Sequence, residues 1–92
     1  MIGSYNGQAK IEVNMIDEFA EREKYRVRNF GVSTSFKIHH IAINAEEGTK
    51  FILDGVEIVV PSTGVVEVCE EMTEIRSLMF HSAANVNILY HF

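Results

Sequence analysis

Phe51-Ile52-Leu53-Asp54-Gly55-Val56-Glu57-Ile58-Val59-Val60 is the stretch that decides the fold class. Asp-Gly between two short apolar runs is the strongest local hairpin signal, because a type I′ turn needs positive φ at both central residues. The reading is a tight hairpin with strands Thr49 to Leu53 and Val56 to Val60. Phe51 and Leu53 alternate on the first strand, while Val56, Ile58 and Val60 share a face of the second.

The same grammar continues on both sides. Upstream, Ala45-Glu46-Glu47-Gly48 is a polar turn, preceded by a strand from Ser35 to Asn44. In that strand Phe36 and Ile38 lie on one face and Ile41 and Ile43 on the other, so the alternation switches at His39-His40. A β-bulge, or burial of both faces, accounts for such a switch. Downstream, Pro61-Ser62-Thr63-Gly64 forms a turn, with Pro fixing φ and Gly free to close it. Val65 to Cys69 is a further strand, Glu70-Glu71-Met72-Thr73 turns the chain, and Ile75 to His81 sets Arg76, Leu78 and Phe80 opposite Ile75, Ser77 and Met79. The final segment places Val86, Ile88, Tyr90 and Phe92 on one face and Asn87, Leu89 and His91 on the other. Its alternation makes residues up to Phe92 sheet rather than tail.

Two readings stand for the first third. Ile11, Val13 and Met15 have strand spacing within Gln8 to Met15, followed by a charged loop or helical turn and a returning strand through Tyr25 and Val27 towards Phe30. Alternatively Asn14 caps a helix reaching Lys24, with Asp17 and Glu18 in its first turn and Met15, Phe19 and Ala20 as a narrow apolar stripe. The strand reading is preferred. The expected fold is all-β: a small antiparallel β-sandwich or jelly-roll-like domain spanning residues 1–92, with one short helix near residues 15–24 as the permitted addition.

Composition narrows the function. With 47% hydrophobic residues, six Phe and three Tyr in 92 residues, the chain has the material for one folded core. The lone Cys69 forms no intramolecular disulfide. A net charge of -5 argues against a nucleic-acid partner, since phosphate binding is driven by Lys and Arg. Arg22, Lys24, Arg26 and Arg28 do cluster, but Glu18, Glu21 and Glu23 are interleaved with them. No apolar run approaches the roughly 18 residues of a membrane span, and Met1 to Gly7 lacks the pattern of a signal peptide. The expectation is no membrane and synthesis into the cytoplasm.

No residue set reads as catalytic, cofactor-binding or metal-binding. His39 and His40 are adjacent on a strand and point to opposite faces, so they do not share an ion. His81 with His91 is an allowed interstrand pair without a structural-zinc spacing. Cys69 needs a base and an orienting group beside it to act as a nucleophile, and no local signature supplies them. Glu46-Glu47 and Glu70-Glu71 fall in predicted turns, where carboxylates are solvated. Gly48, Gly55 and Gly64 are isolated turn residues, not a phosphate loop. Tyr5, Tyr25 and Tyr90 have the mixed character of sugar-stacking residues, although core packing or subunit contact is the simpler role.

Five successive segments carry a family resemblance. Ile43-Asn44-Ala45-Glu46-Glu47-Gly48-Thr49-Lys50-Phe51, Asp54-Gly55-Val56-Glu57-Ile58, Thr63-Gly64-Val65-Val66-Glu67-Val68, Ile75-Arg76-Ser77-Leu78-Met79-Phe80 and Asn85-Val86-Asn87-Ile88-Leu89-Tyr90 follow one another. Their order resembles the β-rich modules of tailed-phage and prophage structural proteins of Gram-positive bacteria. Leu89 stands where that pattern usually has an acidic residue, and the first forty residues fall outside it. The resemblance implies a non-enzymatic virion or tail-associated module that self-associates as a homo-oligomer or docks onto other virion proteins. Localisation would then be the virion, and otherwise the bacterial cytoplasm. Tyr90 and Phe92 are candidate interface residues, with core packing as their other reading. A carbohydrate or cell-surface binding module is the alternative function.

Overall fold

The structure, a computed structural model, describes residues 1–29, 36–70 and 73–92. The elements are β1 (Ile2–Gln8), α1 (Met15–Asn29), β2 (His40–Ala45), β3 (Lys50–Leu53), β4 (Val56–Val59), β5 (Val65–Cys69), β6 (Leu78–Phe80) and β7 (Asn85–His91). They form two antiparallel sheets, one of four strands ordered β1-β7-β2-β5 and one of three ordered β4-β3-β6. Strands that follow one another mostly change sheets, which is jelly-roll connectivity. Helix α1 lies in sequence between β1 and β2 and in space beside β1 and β6. It occupies the place of the eighth strand.

The Asp54-Gly55 hairpin forms as expected. Leu53 pairs with Val56, and Asp54 and Gly55 adopt φ of 48° and 81°, the double positive value of a type I′ turn. The Asp54 carboxylate also accepts from the Arg76 and Ser77 amides at 2.9 and 3.0 Å, tying the turn to the approach of β6. The second turn closes as read, with the Gly64 amide donating to the Pro61 carbonyl at 2.9 Å.

The first third corrects the preferred expectation. The strand is Ile2–Gln8, earlier than Gln8 to Met15, and Tyr25 and Val27 belong to α1 rather than to a returning strand. The cause is the cap. Asn14 Oδ1 accepts the Ile16 amide at 3.0 Å, satisfying a helix-start donor. The same oxygen accepts the Leu78 amide at 3.1 Å while Asn14 Nδ2 donates to the Arg76 carbonyl at 2.9 Å. One side chain therefore starts the helix and fixes it to β6. The buried stripe is Met15, Ile16, Phe19 and Glu23, and the helix itself continues to Asn29, past the expected end at Lys24. The strand expected from Ser35 begins as β2 at His40, with an isolated bridge at Ile38 before it, while Phe30, Ser35 and the Glu71-Met72 part of a turn lie outside the described residues.

The parity switch is a bulge. His91 faces both His40, its register partner, and His39, whose amide donates to the His91 carbonyl at 3.2 Å. Two residues opposing one is the defining count. It lets Ile38 and Ile41, on opposite parities, both reach the core. Ile75 also departs from simple alternation, because it lies outside β6, bridges Ile38 and is buried together with Leu78 and Phe80.

The core joins the inner faces of both sheets to α1. Ile41, Ile43, Val86, Ile88 and Tyr90 come from the four-stranded sheet, Phe51, Leu53, Leu78 and Phe80 from the other, and Met15 and Phe19 from the helix. Phe19 stacks on Tyr90 with centroids 4.4 Å apart and planes 14° from parallel. Gly3 is required beneath this stack. A Cβ there would lie 2.3 Å from Tyr90 Cε2 and 2.6 Å from Glu23 Oε1, so only glycine lets β1 approach.

Candidate interaction surface

Of the two residues singled out as interface candidates, Tyr90 is fully buried. Its hydroxyl donates to Glu23 Oε1 at 2.9 Å, and Arg26 Nη1 donates to Glu23 Oε2 at 2.8 Å. Both carboxylate oxygens of a buried glutamate are thereby satisfied. Burial, reinforced by the hydrogen bond to Glu23, raises the Tyr90 phenol well above its ordinary value. Core packing is the role the structure gives it. Phe92 is half-buried, 4.9 Å from Phe36 by ring centroids, with the Arg26 guanidinium 5.4 Å over its ring.

The other flagged tyrosines do not form a platform with Tyr90. Tyr5 packs 6.0 Å from Phe19 with Arg22 over its ring, and Tyr25 stands exposed on α1. His81 is in the three-stranded sheet's region near Glu12, whereas His91 belongs to β7 of the other sheet, so that allowed pairing is not assembled. Glu46, Glu47 and Glu70 are surface residues around turns.

The pairing register assembles a surface that no single segment reveals. Successive residues of a strand face opposite sides, so the residues alternating with the core positions form the outer face of the four-stranded sheet. Across β1-β7-β2-β5 the first row is Ile2, His91, His40 and Cys69. The second is Ser4, Leu89, Ala42 and Glu67, and the third is Asn6, Asn87, Asn44 and Val65. Gln8 and Asn85 complete it. Every one of these residues is exposed or half-exposed.

Glu67 is the one formally charged side chain among them, in a chain where 23% of residues are charged. Its carboxylate is engaged, with His40 Nε2 2.7 Å from Glu67 Oε1. The outer face is therefore close to neutral, with Ile2, Leu89 and Val65 exposing apolar area and a row of asparagines, Asn6, Asn87 and Asn44, crossing three strands. An ordinary solvated face carries interspersed charges of both signs. Low charge lowers the desolvation cost of covering a surface, which suits contact with another surface.

One end of that face holds a pair that sequence reasoning missed. His40 and His91 rings meet edge-to-face with centroids 4.6 Å apart. Cys69 is the cross-strand partner of His40, and the Glu70 amide bond to the His39 carbonyl makes theirs a non-hydrogen-bonded pair, the closer type. Among the described residues, no three potential ligands converge on one metal position. Cys69 and His40 also lie on an open surface rather than in a cleft. A separate shallow depression of about 230 Å³, lined by Lys37, His39, Thr73, Glu74 and Arg76, contains neither. His39 Nδ1 lies 2.8 Å from the Thr73 carbonyl there, and Arg76 pairs with Glu74 at 3.2 Å.

Among the described residues no helix is long and apolar enough to cross a membrane. No family model, curated protein or solved structure matches the chain.

Proposed function

We propose that this chain is a non-enzymatic structural module of a phage or prophage virion, acting by docking its neutral sheet face onto another protein surface. The observation that carries the reading is the outer face of β1-β7-β2-β5, where Glu67 alone bears formal charge. The resemblance of the segments from Ile43 to Tyr90 supplies the virion context. Jelly-roll connectivity, a scaffold used by capsid proteins and lectins among others, agrees with that context without choosing a role.

Co-sedimentation of the purified chain with intact tailed-phage particles tests the reading. Wild-type protein is expected in the particle fraction, and Leu89→Glu, which places a second carboxylate on the neutral face, is expected to shift it at least tenfold towards the free fraction. Absence of the wild-type chain from particles, or equal binding by the variant, sinks the proposal.

One observation favours a second reading, a carbohydrate-binding surface. Asn6, Asn87 and Asn44 align across three strands, and their amides both donate to and accept from sugar hydroxyls. A glycan array gives a hit that Asn87→Ala removes if this reading holds, and no hit if it does not.

A further inference from the structure

Resting on the docking reading above, we infer that two copies of the chain join through the free edge of β1, extending both four-stranded sheets into one of eight strands. Among the described residues, no strand pairs with β1 on the side away from β7. The Met1 ammonium donates to the Phe92 carbonyl, the Phe92 amide donates to the Met1 carbonyl, and the Ala9 amide donates to the Ala84 carbonyl. In an antiparallel ladder, reciprocal bonds recur at every second residue. Met1, Gly3, Tyr5, Gly7 and Ala9 therefore direct their backbone groups to β7. Ile2, Ser4, Asn6 and Gln8 direct theirs away from it.

Four strand edges border the two sheets, and three are guarded. β5 carries Glu67 at its centre and β4 carries Glu57, both exposed. Charges on an edge oppose strand addition. β6 is covered by the segment leading into α1: Ile11 bridges Phe80, the Glu12 amide donates to the Phe80 carbonyl at 2.8 Å, and Asn14 holds Leu78 and Arg76. β1, Ile2-Gly3-Ser4-Tyr5-Asn6-Gly7-Gln8, has no charge and no proline, and α1 packs on its core side.

The same strand sets the register. Tyr5 hydroxyl donates to the Gln8 carbonyl at 2.5 Å, occupying one outward acceptor. Gly7, at φ 136°, takes the backbone out of regular extended geometry. The regular free edge is thus Ile2 to Asn6, and its centre is Ser4. A twofold axis through Ser4 pairs Ser4 with Ser4, and Ile2 with Asn6, of the second copy. These pairs use every free amide and carbonyl of Ile2, Ser4 and Asn6, about six hydrogen bonds in all. None of the paired residues from Ile2 to Asn6 carries a charged side chain. Between them, Gly3 lies opposite Tyr5 of the second copy, so an aromatic ring faces a position without a side chain. A symmetric, self-complementary contact of this kind closes a dimer rather than a fibre. It also doubles the width of the neutral outer face.

Sedimentation velocity of the full chain from about 1 to 200 μM is the primary test. The expected species at high concentration has twice the 10.4 kDa chain mass. Ser4→Lys, which sets two ammonium groups together at the axis, is expected to weaken association at least tenfold; Leu89→Glu leaves the dimer intact. Amide exchange gives an independent reading: protection of the Ile2, Ser4 and Asn6 amides rises with protein concentration. A monomer across the whole range, or a dimer that Ser4→Lys leaves unchanged with thermal unfolding like wild type, overturns the inference. Monomeric protein that still binds particles overturns this edge while leaving the docking reading in place; dimeric protein that binds no particles does the reverse.

Discussion

The two faces of β7 are built from alternate residues of one seven-residue strand and obey different rules. Val86, Ile88 and Tyr90 face inward and are buried, held by α1 and the second sheet; Asn85, Asn87, Leu89 and His91 face outward and are exposed. Packing constrains the inner set, because close-packed interiors respond to the loss of even one methylene. Stability places no comparable demand on the outer set. Its near-neutral composition is therefore informative about what it contacts, whereas the inner composition is informative about the fold.

The sharpest way to break this contrast is to truncate neighbours on opposite faces. Ile88→Ala removes a fully buried side chain and is expected to cost about 3 kcal/mol. Leu89→Ala, one residue away and exposed, is expected to stay within about 0.5 kcal/mol. Urea denaturation of both variants measures the difference, and similar costs would mean the outer face is also a stability determinant.

A smaller effect tests the polar contact within the inner face. Tyr90→Phe deletes the hydroxyl donor to Glu23 and leaves one oxygen of a buried carboxylate without that partner, an expected cost of about 2 kcal/mol. The contact also has a pH signature. The folded phenol is raised above the unfolded value of 10.0, so the unfolded state loses its proton first. The stabilisation is complete below pH 10 and declines as the pH climbs towards the folded value. Thermal melts through this alkaline range should fall less steeply for Tyr90→Phe than for wild type.

A further destabilising substitution tests the helix that covers the inner face. Asn14→Ala removes the α1 cap and its bonds to Leu78 and Arg76, and is expected to cost about 1 to 2 kcal/mol. Amide exchange should show faster opening of α1 with little change on the outer face of β2 and β7. Uniform loss of protection would show that helix and sheet open as one unit.

These contrasts follow the boundary between local and non-local information. The Asp54-Gly55 turn, the Pro61 to Gly64 turn and the alternation from Val86 to Tyr90 were legible because turn geometry and strand parity depend on neighbouring residues. The switch at His39-His40 was legible as a bulge or double burial, and pairing with His91 selected the bulge. Choosing helix over strand at Met15 required Asn14 to meet Arg76 and Leu78, more than sixty residues away. Tyr90 was compatible with contact or core until Phe19 and Glu23 enclosed it.

By itself, then, the sequence determined an all-β chain, its second-half turns and the two faces of its last strand, since each follows from short-range sterics and side-chain alternation. Only the tertiary structure decided the helix in place of a strand, the His40–His91 contact and the neutral face built from four strands. Strand order and register bring together residues as distant as Asn6 and Asn87, and no local pattern encodes that meeting.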